Sequence, residues 1–197
     1  TLLMPEGKTY KSTIKTIFND VKLACQELGV TLCGGHTEIT KDLKRPILCG
    51  QMLGEVEKTE LLQGTKAQKD DSILITQKIP IEGSAILANE KNKSLLAKID
   101  RKSIERAKKF LENPGISVVK AATSAAKTHC VHSMHDPTEG GLATGIHELA
   151  LSANLGAEID YNLIPIYKEG REICEALNLN PLGLITSGTL LLTTNKI

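Results

Sequence analysis

The sequence His-Asp-Pro-Thr-Glu-Gly-Gly-Leu-Ala, residues 135–143, lies where a predicted strand passes into a predicted helix. Residues 130–134 before it form a short strand-like run. After Gly140 and Gly141, apolar residues recur at the three- and four-residue spacing of a helix. Strands and helices continue to alternate on both sides of this stretch. This order predicts an α+β (layered α/β) domain, with helices packed on a mixed sheet.

The elements around this stretch follow from apolar spacing and from turn residues. Strands are predicted at residues 72–76, 157–161 and 189–193, and helices at residues 83–98, 101–111, 117–127 and 171–177. Asp100 is expected to cap the start of the second of these helices, and the sequence Asn-Pro-Gly at residues 113–115 ends it.

The first part of the chain is predicted to hold one helix and two strands. Apolar residues from Ile14 to Leu28 form one helix face, which Ser12 caps at its start and Gly29 ends in the left-handed conformation. Residues 30–33 read as a short buried strand, and residues 47–56 as a second strand. The polar residues that follow predict a division into residues 1–58, a linker at 59–71 and a domain at 72–197.

Composition argues against several classes of function. The 197 residues include 24 Lys and Arg against 23 Asp and Glu, which gives no basic surface for nucleic acid or an anionic membrane. No apolar run is long enough to span a bilayer. Aromatic residues are only 3% of the chain, so stacking on single-stranded nucleic acid is not expected. The five widely spaced cysteines are typical of reduced, buried thiols in a cytoplasmic protein.

Both ends of the sequence predict that the chain is part of a longer protein. It begins at Thr1 rather than at a methionine, and the strand predicted at residues 189–193 stands close to its end. A buried strand in that position is expected to pair with a neighbour further along the chain. The alternative interpretation is a processed start and an edge strand.

A first candidate site is the sequence Gly34-Gly35-His36-Thr37-Glu38, which follows a predicted strand. The glycines allow a ligand or another backbone to approach closely, and the next three residues place an imidazole, a hydroxyl and a carboxylate there. The carboxylate could hold a divalent cation such as Mg²⁺, which prefers oxygen ligands. The alternative is a Gly-Gly bend followed by a solvated polar loop, and a short glycine motif alone favours that alternative.

The second candidate site is the opening stretch itself. The amides of Gly140 and Gly141 at a helix start could face an anion such as a phosphate, and Asp136 could bind a metal ion. In the alternative interpretation, Asp136 or Thr138 caps the helix, a proline occupies its first turn and the glycines serve tight packing. That alternative explains less well why two acidic residues flank the turn.

A zinc site is not predicted. His129, Cys130, His132 and His135 lie close in sequence, but alternation along a strand points the first and last to one face and the other two to the opposite face. No set of four ligands converges there. Cys33, at the end of an apolar strand, is predicted to be an inert buried thiol.

Five motifs, in this order, resemble those of the aminoimidazole ribonucleotide (AIR) synthase-related superfamily. They are the sequences at residues 34–38, 79–83, 135–143, 180–182 and 187–191. The similarity extends over nearly the whole chain, and the branch that it most resembles is the hydrogenase expression/formation proteins of the HypE type and their paralogues. Selenide, water dikinase, thiamine-monophosphate kinase and formylglycinamidine ribonucleotide amidotransferase are more distant relatives.

The resemblance implies an enzyme that uses ATP and Mg²⁺ to activate an oxygen or a phosphate acceptor. Residues 1–58 would be the C-terminal part of an ATP-binding, dimerising domain, and residues 72–197 an AIR synthase-related C-terminal domain, incomplete at its end. Members of the superfamily are usually homodimers with a shared sheet. In the HypE branch a protein carbamoyl or thiocarboxamide group is dehydrated, which supplies cyanide for hydrogenase maturation and implies a protein maturation partner.

Transferred motif by motif, the resemblance implies catalytic roles for His36, Glu38 and Asp136, of which Glu38 and Asp136 would hold the metal ion. The residues that it assigns to cofactor binding are Gly34, Gly35, Thr37, Thr138, Gly140 and Gly141. A phosphate-facing helix start and an acidic metal site are consistent with that assignment. Phosphoryl chemistry of this kind is mostly positioning and charge stabilisation.

Two positions depart from the HypE pattern. HypE proteins typically have Gly-Asp-Thr-Lys where this chain has residues 35–38, and Asp-Pro-Thr-Arg-Gly-Gly where it has residues 136–141. Glu38 and Glu139 therefore replace two cations with carboxylates. The open alternatives are a non-catalytic scaffold or maturation partner with the same fold, and a small-molecule kinase of the thiamine-monophosphate kinase or selenophosphate synthase type. The chain alone is expected to be inactive.

Overall fold

Residues 1–196 are described by the computed structural model, and their contacts divide the chain into two units. The first unit is Thr1–Val56, and the second begins at Glu57. Each unit contains helix and strand, so the α+β class predicted from the sequence is confirmed. None of the helices within residues 1–196 has the length and apolar character needed to cross a bilayer.

A three-stranded sheet and one helix form the first unit. Its elements are β1 (Leu2–Pro5), α1 (Lys11–Leu28), β2 (Thr37–Thr40) and β3 (Ile47–Leu48). The central strand is β1, with β2 parallel on one side and β3 antiparallel on the other. Within residues 1–56, only Leu2, Met4 and Pro5 are buried, all of them in β1.

The two predicted ends of α1 have different outcomes. Gly29 has a φ of 67° and ends the helix in the left-handed conformation, as predicted. The predicted cap at Ser12 is wrong, because the helix begins at Lys11 and Tyr10 holds the N-cap position without a side-chain hydrogen bond. Ser12 therefore lies inside the first turn, where its hydroxyl cannot serve as the cap.

The strands predicted on either side of β2 are largely wrong. Residues 30–33 form no strand and are exposed, so the prediction that Cys33 is a buried thiol is also wrong. Of residues 47–56, only Ile47–Leu48 pair in a sheet. The physical reason is that a strand needs a neighbour for its backbone groups, and β2 and β3 already occupy both sides of β1.

The second unit contains three strands and six helices among its described residues. In chain order these are β4 (Ser72–Ile75), α2 (Glu82–Glu90), α3 (Asn92–Leu96), α4 (Arg101–Lys108), α5 (Val119–Ala126), β5 (Val131–His135), α6 (Gly141–Ser152), α7 (Lys168–Leu177) and β6 (Leu191–Thr194). Short 3₁₀ turns connect several of them.

The sheet of the second unit has the order β4-β6-β5, and both pairings are antiparallel. Leu192 of the central strand pairs with Leu74 on one side and with Met134 on the other. Both neighbours of β6 thus precede it in the chain, whereas the sequence suggested one further along. A parallel contact is added beyond β4 by the bridge between Ile79 and Ile166.

Two main apolar clusters hold the second unit together. One lies between α6 and a face of the sheet, and its buried members are Ile79, Leu142, Leu149 and Leu191. The other lies among the helices, with Ala88, Leu95, Ile104, Ala107 and Ile173 fully buried. The predicted apolar faces of these helices therefore account for most of the core.

Several predicted boundaries in the second unit need correction. The helix expected at residues 83–98 is broken at Lys91 into α2 and α3, and the one expected at residues 101–111 finishes as a 3₁₀ turn. No strand forms at residues 157–161. The predicted cap at Asp100 is confirmed, because its carboxylate accepts a hydrogen bond from the amide of Lys102.

The cysteines are less buried than their spacing suggested. All five are free; Cys174 is buried, Cys25 is half-buried, and Cys33, Cys49 and Cys130 are exposed. The prediction of buried thiols is therefore correct for Cys174 alone. The other four lie outside the packed helix cluster of the second unit.

Candidate functional site

The turn between β5 and α6 is closed by backbone conformation rather than by a side-chain cap. Gly140 occupies the N-cap position with a φ of 75°, and no side chain donates or accepts a capping bond there. The amide of Gly141 donates to the carbonyl of Thr138 at 3.0 Å. The alternative in which Asp136 or Thr138 caps the helix is therefore wrong.

Close packing explains why position 141 is a glycine. A Cβ there would lie 2.5 Å from the carbonyl oxygen of Leu182 and still closer to that of Leu184, and the φ of 63° disfavours any other residue. A Cβ at Gly145 would lie 2.5 Å from the Cβ of Pro137. The turn is therefore fixed against both α6 and the loop that precedes β6.

Other motifs of the sequence meet at the same loop. The amide of Gly83 donates to the carbonyl of Ile185 at 2.8 Å, and a Cβ on Gly83 would come within 2.9 Å of the Cβ of Leu184. Asn180 caps the 3₁₀ turn at Pro181–Gly183 by accepting from the amide of Leu182. The motifs at residues 79–83, 135–143 and 180–182, far apart in sequence, thus form one packed junction.

This junction leaves two carboxylates of the turn exposed. Among residues 1–196, Asp136 has no hydrogen-bond or ion-pair partner, and its side chain is exposed. Glu139 is also exposed, but hydrogen bonds from its own backbone amide and from the Thr138 hydroxyl lower the pKa of its carboxyl. The Asp136 carboxylate is thus held in place by the turn and has no partner among residues 1–196, whereas the Glu139 carboxylate already accepts hydrogen bonds within the turn.

The histidines near this turn are paired with three different carboxylates. His135 Nε2 lies 2.8 Å from Glu148 Oε2 on α6. His132 Nδ1 lies 2.9 Å from both carboxylate oxygens of Asp71. His129 Nδ1 lies 3.4 Å from Glu60 Oε2.

These pairs do not gather into a metal centre. Among residues 1–196, no group of three or more His, Cys, Asp or Glu side chains is placed to hold a metal ion. The pairs instead join β5 to α6 and to the segment that precedes β4. A bulge between Val131 and Ser133 interrupts the alternation on which the predicted orientation of the histidines rested.

The candidate motif of the first unit is open to solvent. An added Cβ on Gly34 or Gly35 would meet nothing within 4 Å. The next residues enter β2, where Thr37 pairs with Leu2 and Glu38 pairs with Leu3 of β1. The strand therefore fixes the backbone of the motif while its side chains stay exposed.

One contact occurs between the side chains of this motif. His36 Nε2 lies 3.4 Å from Glu38 Oε2, and both side chains are more than half exposed. His36 and Glu38 thus lie in contact, and their catalytic and metal-binding roles stay predictions. Asp136, Thr138 and Gly140 share a turn of the other unit, and a joint site with His36 and Glu38 stays a prediction.

The residues present fit Mg²⁺ and a phosphate in part. The unengaged carboxylate of Asp136 suits a hard cation that takes oxygen ligands. Among residues 1–196 the amide of Gly140 makes no hydrogen bond, so it is available to a phosphate oxygen. The amide of Gly141 is already used by Thr138. The assignment of Gly141 to cofactor binding stays a prediction, and its packing alone accounts for the glycine.

Sequence reasoning missed the residues that support this turn. Glu148 was not singled out as the partner of His135, and the carbonyls of Leu182 and Leu184 were not connected with Gly141. A helical pattern gives no signal for the first contact, because His135 lies outside α6. The second contact joins segments about forty residues apart. Tight packing was the alternative role predicted for the two glycines, but the sequence did not identify the segment against which they pack.

The fold and this turn define a protein of the AIR synthase-related class. The family model described as AIR synthase related protein, C-terminal domain, matches residues 68–196. That match covers more than half of the chain, and the chain belongs to this family. The resemblance stated from the five motifs is thereby confirmed.

Relatives among curated proteins include those of the HypE and the selenide, water dikinase types. A Methanocaldococcus jannaschii protein named for hydrogenase expression and formation is 28% identical over 99% of this chain and 55% of its own length. Carbamoyl dehydratase HypE of Cupriavidus necator is 28% identical over 90% of this chain and 48% of its own. Selenide, water dikinase of Shewanella sp. W3-18-1 is 26% identical over 94% and 47%. The chain spans about half the length of these relatives.

Solved structures share the fold. A structure of hydrogenase maturation protein HypE in complex with ATP has a TM-score of 0.71 and 21% identity, covering 99% of this chain and 55% of its own. A HypE–HypF complex has a TM-score of 0.69 and 18% identity, covering 99% and 61%. These similarities show that the chain has the fold of HypE proteins.

Proposed function

We propose that the protein carrying this chain is an ATP- and Mg²⁺-dependent enzyme of the HypE type. It would activate the oxygen of a carbamoyl or thiocarboxamide acceptor and act in hydrogenase maturation. The observation that carries this proposal is Asp136, an unengaged carboxylate on a turn that glycine packing holds rigid. The similarity to a carbamoyl dehydratase HypE over 90% of this chain supports the substrate class.

The residues of the chain have distinct roles in this proposal. In the second unit Asp136 would hold Mg²⁺, which when bound neutralises charge on the phosphates of ATP, and in the first unit the Glu38 carboxylate would be a ligand for a cation. The amide of Gly140 would bind a phosphate oxygen, and the hydroxyl of Thr138 would do so once it turns away from the Glu139 carboxylate. Glu38 also orients His36, whose Nε2 lies 3.4 Å from its carboxylate, so that this ring can hold or release a proton beside the acceptor.

Calorimetric titration of ATP with Mg²⁺ tests the role of Asp136. The titration is made on the gene product that carries this chain, and Asp136→Asn should weaken binding about tenfold or more because a metal ligand loses its charge. The melting temperature should not change, since Asp136 is exposed and unpaired. Asp70→Asn, a change at another exposed aspartate of the second unit, is the matched control and should leave ATP affinity unaltered.

Other results of the titration would contradict part or all of the proposal. If wild type and Asp136→Asn bind ATP with equal affinity, Asp136 is a solvated loop residue and not a metal ligand. If the wild type binds no ATP, the non-catalytic scaffold becomes the better reading, and Glu38 and Glu139, the acids at positions where HypE proteins have cations, would account for the loss.

A second candidate is a small-molecule kinase of the same family. The similarity to selenide, water dikinase over 94% of this chain favours it. Incubation with ATP labelled on its γ-phosphate separates the two reactions. A dehydratase releases the labelled phosphate as inorganic phosphate only when the carbamoyl or thiocarboxamide acceptor is present. A kinase leaves the labelled phosphate on a small acceptor.

We also propose that the protein is a cytoplasmic homodimer that works with a protein partner. Support for the dimer comes from the first unit, where apolar side chains such as Phe18, Ile39 and Leu53 are 43%, 59% and 85% exposed. The five free thiols fit a reducing compartment. The solved complex of HypE with HypF supports a protein partner for this chain.

A further inference from the structure

A cleft of about 600 Å³ lies inside the second unit, apart from the Asp136 turn. Its floor is the sheet face that carries Ile73 and Leu191, and one wall is α6, with Ile146 and Leu149. The opposite wall is the loop at residues 155–165. The proposed nucleotide chemistry makes no use of this cleft.

The first side of the cleft is an open strand edge. β4 is an outer strand of its sheet among the described residues. The amide of Thr76 donates to the carbonyl of Leu190 at 3.0 Å, so Thr76 faces β6. Backbone groups alternate in direction along an antiparallel strand, and those of Ile73 and Ile75 therefore point away from β6. Both residues line the cleft.

The second side of the cleft is a segment with free backbone groups. Within residues 1–196, no hydrogen bond involves the backbone of residues 156–159. Its sequence, Gly-Ala-Glu-Ile, leads into the alternating stretch that predicted a strand at residues 157–161. An unpaired segment of this kind has the composition of a strand but lacks the neighbour that a strand requires.

The two sides run in the same direction and separate progressively. They are joined at Ile79, whose amide donates to the carbonyl of Pro165 at 2.9 Å and whose carbonyl accepts from the amide of Tyr167 at 2.8 Å. Toward β4 on one side and residues 156–159 on the other, this backbone pairing is lost, and the cleft opens between the two segments. The gap is bordered on both sides by unpaired backbone.

The side chains around the cleft define what could enter it. The floor and the α6 wall are apolar. Thr193 on the floor is 3% exposed, and its hydroxyl has no hydrogen-bond partner within residues 1–196. The rim carries Asp70, Glu158 and Asp160 against a single cation, Lys69. An apolar interior with an acidic rim fits a ligand that is apolar on one face and basic on the other.

We propose that this cleft binds an extended segment of a partner polypeptide as an additional β-strand. The segment would pair with the outward-facing backbone groups of Ile73 and Ile75 and with those of residues 156–159, and its side chains would alternate between apolar and basic. A strand of four residues matches the length of β4 and would complete both sets of backbone hydrogen bonds at once. Its apolar side chains would cover Ile73 and Leu191, and its basic side chains would meet Glu158 and Asp160.

A synthetic peptide tests this proposal directly. The probe is an acetylated, amidated seven-residue peptide in which valine alternates with lysine, titrated into the full protein and followed by amide NMR and hydrogen exchange. We expect saturable binding, with protection of the amides of Ile73, Ile75 and residues 156–159. Two control peptides should bind at least tenfold more weakly: one in which glutamate replaces lysine, and one that is N-methylated on alternate residues.

A charge reversal at the rim keeps the test independent of overall stability. Glu158→Lys should weaken the valine–lysine peptide and strengthen the valine–glutamate peptide, each by about fivefold or more. Glu112→Lys, at an exposed acid that does not line the cleft, should change neither. A variant that merely failed to fold could not gain affinity for the second peptide.

Four results would overturn the proposal. The first is equal binding of the two charged peptides, and the second is binding that does not protect the amides of Ile73 and Ile75. The third is that these amides are already protected in the protein without added peptide, because its own chain then occupies the cleft. Binding of a small cationic amine alone, with the N-methylated peptide as effective as its parent, would replace a strand site by a small-molecule site.

Discussion

Gly140 and Gly141 are adjacent in sequence and serve different purposes in the structure. Gly140 adopts a φ of 75° and begins α6, and its amide makes no hydrogen bond among residues 1–196. Gly141 gives the loop at residues 182–184 the room that a side chain would fill. One motif thus combines a backbone amide without a hydrogen bond among residues 1–196 with a close packing contact, at two positions of positive φ that favour glycine.

The packing role of Gly141 predicts a large loss of stability in Gly141→Ala. The added methyl group meets two carbonyl oxygens at a positive φ, and we expect a loss of about 2 to 4 kcal/mol from overpacking and backbone strain. Gly183→Ala, where a Cβ would meet nothing within 4 Å, is the control and should cost far less. Thermal unfolding of both variants measures the difference. Equal melting temperatures would show that the 182–184 loop moves aside.

Burial predicts the order in which the five thiols react. Desolvation, with a smaller contribution from Glu175, raises the pKa of Cys174 to about 11, whereas Cys33, Cys49 and Cys130 are exposed. At pH 8 a maleimide reagent should modify these three while leaving Cys174 intact, and mass spectrometry of the peptides identifies each site. The same experiment in denaturant should modify all five. Rapid labelling of Cys174 in the folded protein would contradict its position in the helix core.

The same thiol contributes a defined pH dependence to stability. The pKa of Cys174 is higher in the folded protein than its ordinary value of 9.0, so folding favours the neutral thiol. Its contribution to stability is therefore fully present below about pH 9 and is lost as the pH rises from there toward 11. Cys174→Ala should remove that part of the alkaline decline.

At the scale of elements, helix ends matched the sequence where a local side chain decides them. Asp100 caps α4 through the amide of Lys102, as predicted, and α7 ends at Leu177, as predicted, with Asn178 after it in the left-handed conformation, a role that the sequence analysis did not assign. α4 is also tied to α7 by Arg106, whose Nε lies 2.6 Å from Glu169 Oε1. A partly exposed pair of this kind adds little stability, so the buried apolar face of α4 carries most of its packing.

The cap of α4 gives a prediction with a conservative control. Asp100→Ala should destabilise the protein by about 1 kcal/mol, because the first amides of the helix lose their acceptor. Asp100→Ser keeps an acceptor at the same position and should recover most of the loss. Chemical denaturation of the two variants measures both values. If alanine and serine were equivalent, water would be satisfying the helix start.

At the scale of the whole molecule, burial is unevenly divided between the two units. Within residues 1–56 only three residues of β1 are buried, and no residue of α1 is buried. The second unit holds the remaining core, in clusters formed by its sheet and its helices. The apolar face predicted for α1 is therefore only partly covered within its own unit, which supports the proposed dimer.

The dimer proposal predicts that a charge on α1 promotes dissociation. Burial of a large apolar side chain contributes about 1.5 to 3 kcal/mol, so Phe18→Lys should raise the dimer dissociation constant about tenfold or more. Ile86→Lys, at a side chain of α2 that is 39% exposed, matches Phe18 at 43% and should have no effect. Sedimentation velocity over a concentration series measures both. A wild-type protein that stays monomeric at all concentrations would contradict the proposed dimer.

A structural feature could be predicted from the sequence where residues close together in the chain determine it. The apolar spacing of residues 14–28 and 142–153 located α1 and α6, and Gly29 ended the first of them as expected. The strand predicted at residues 157–161 failed although its alternation is clear, because no neighbour accepts its backbone groups within residues 1–196. For the candidate site, the motif singled out His36 and Glu38, whose roles stay predictions, whereas the contact of His135 with Glu148 had no signal in the sequence.

The sequence by itself determined the α+β class, most helices and the family, since these depend on periodicity, turn residues and short motifs. The tertiary structure decided which strands pair, which glycine serves packing, and which carboxylate meets each histidine. Those outcomes depend on contacts between distant segments, such as Gly141 with Leu184 and His135 with Glu148. Local preferences of a few tenths to one kcal/mol cannot select such contacts, which form only when whole elements pack together.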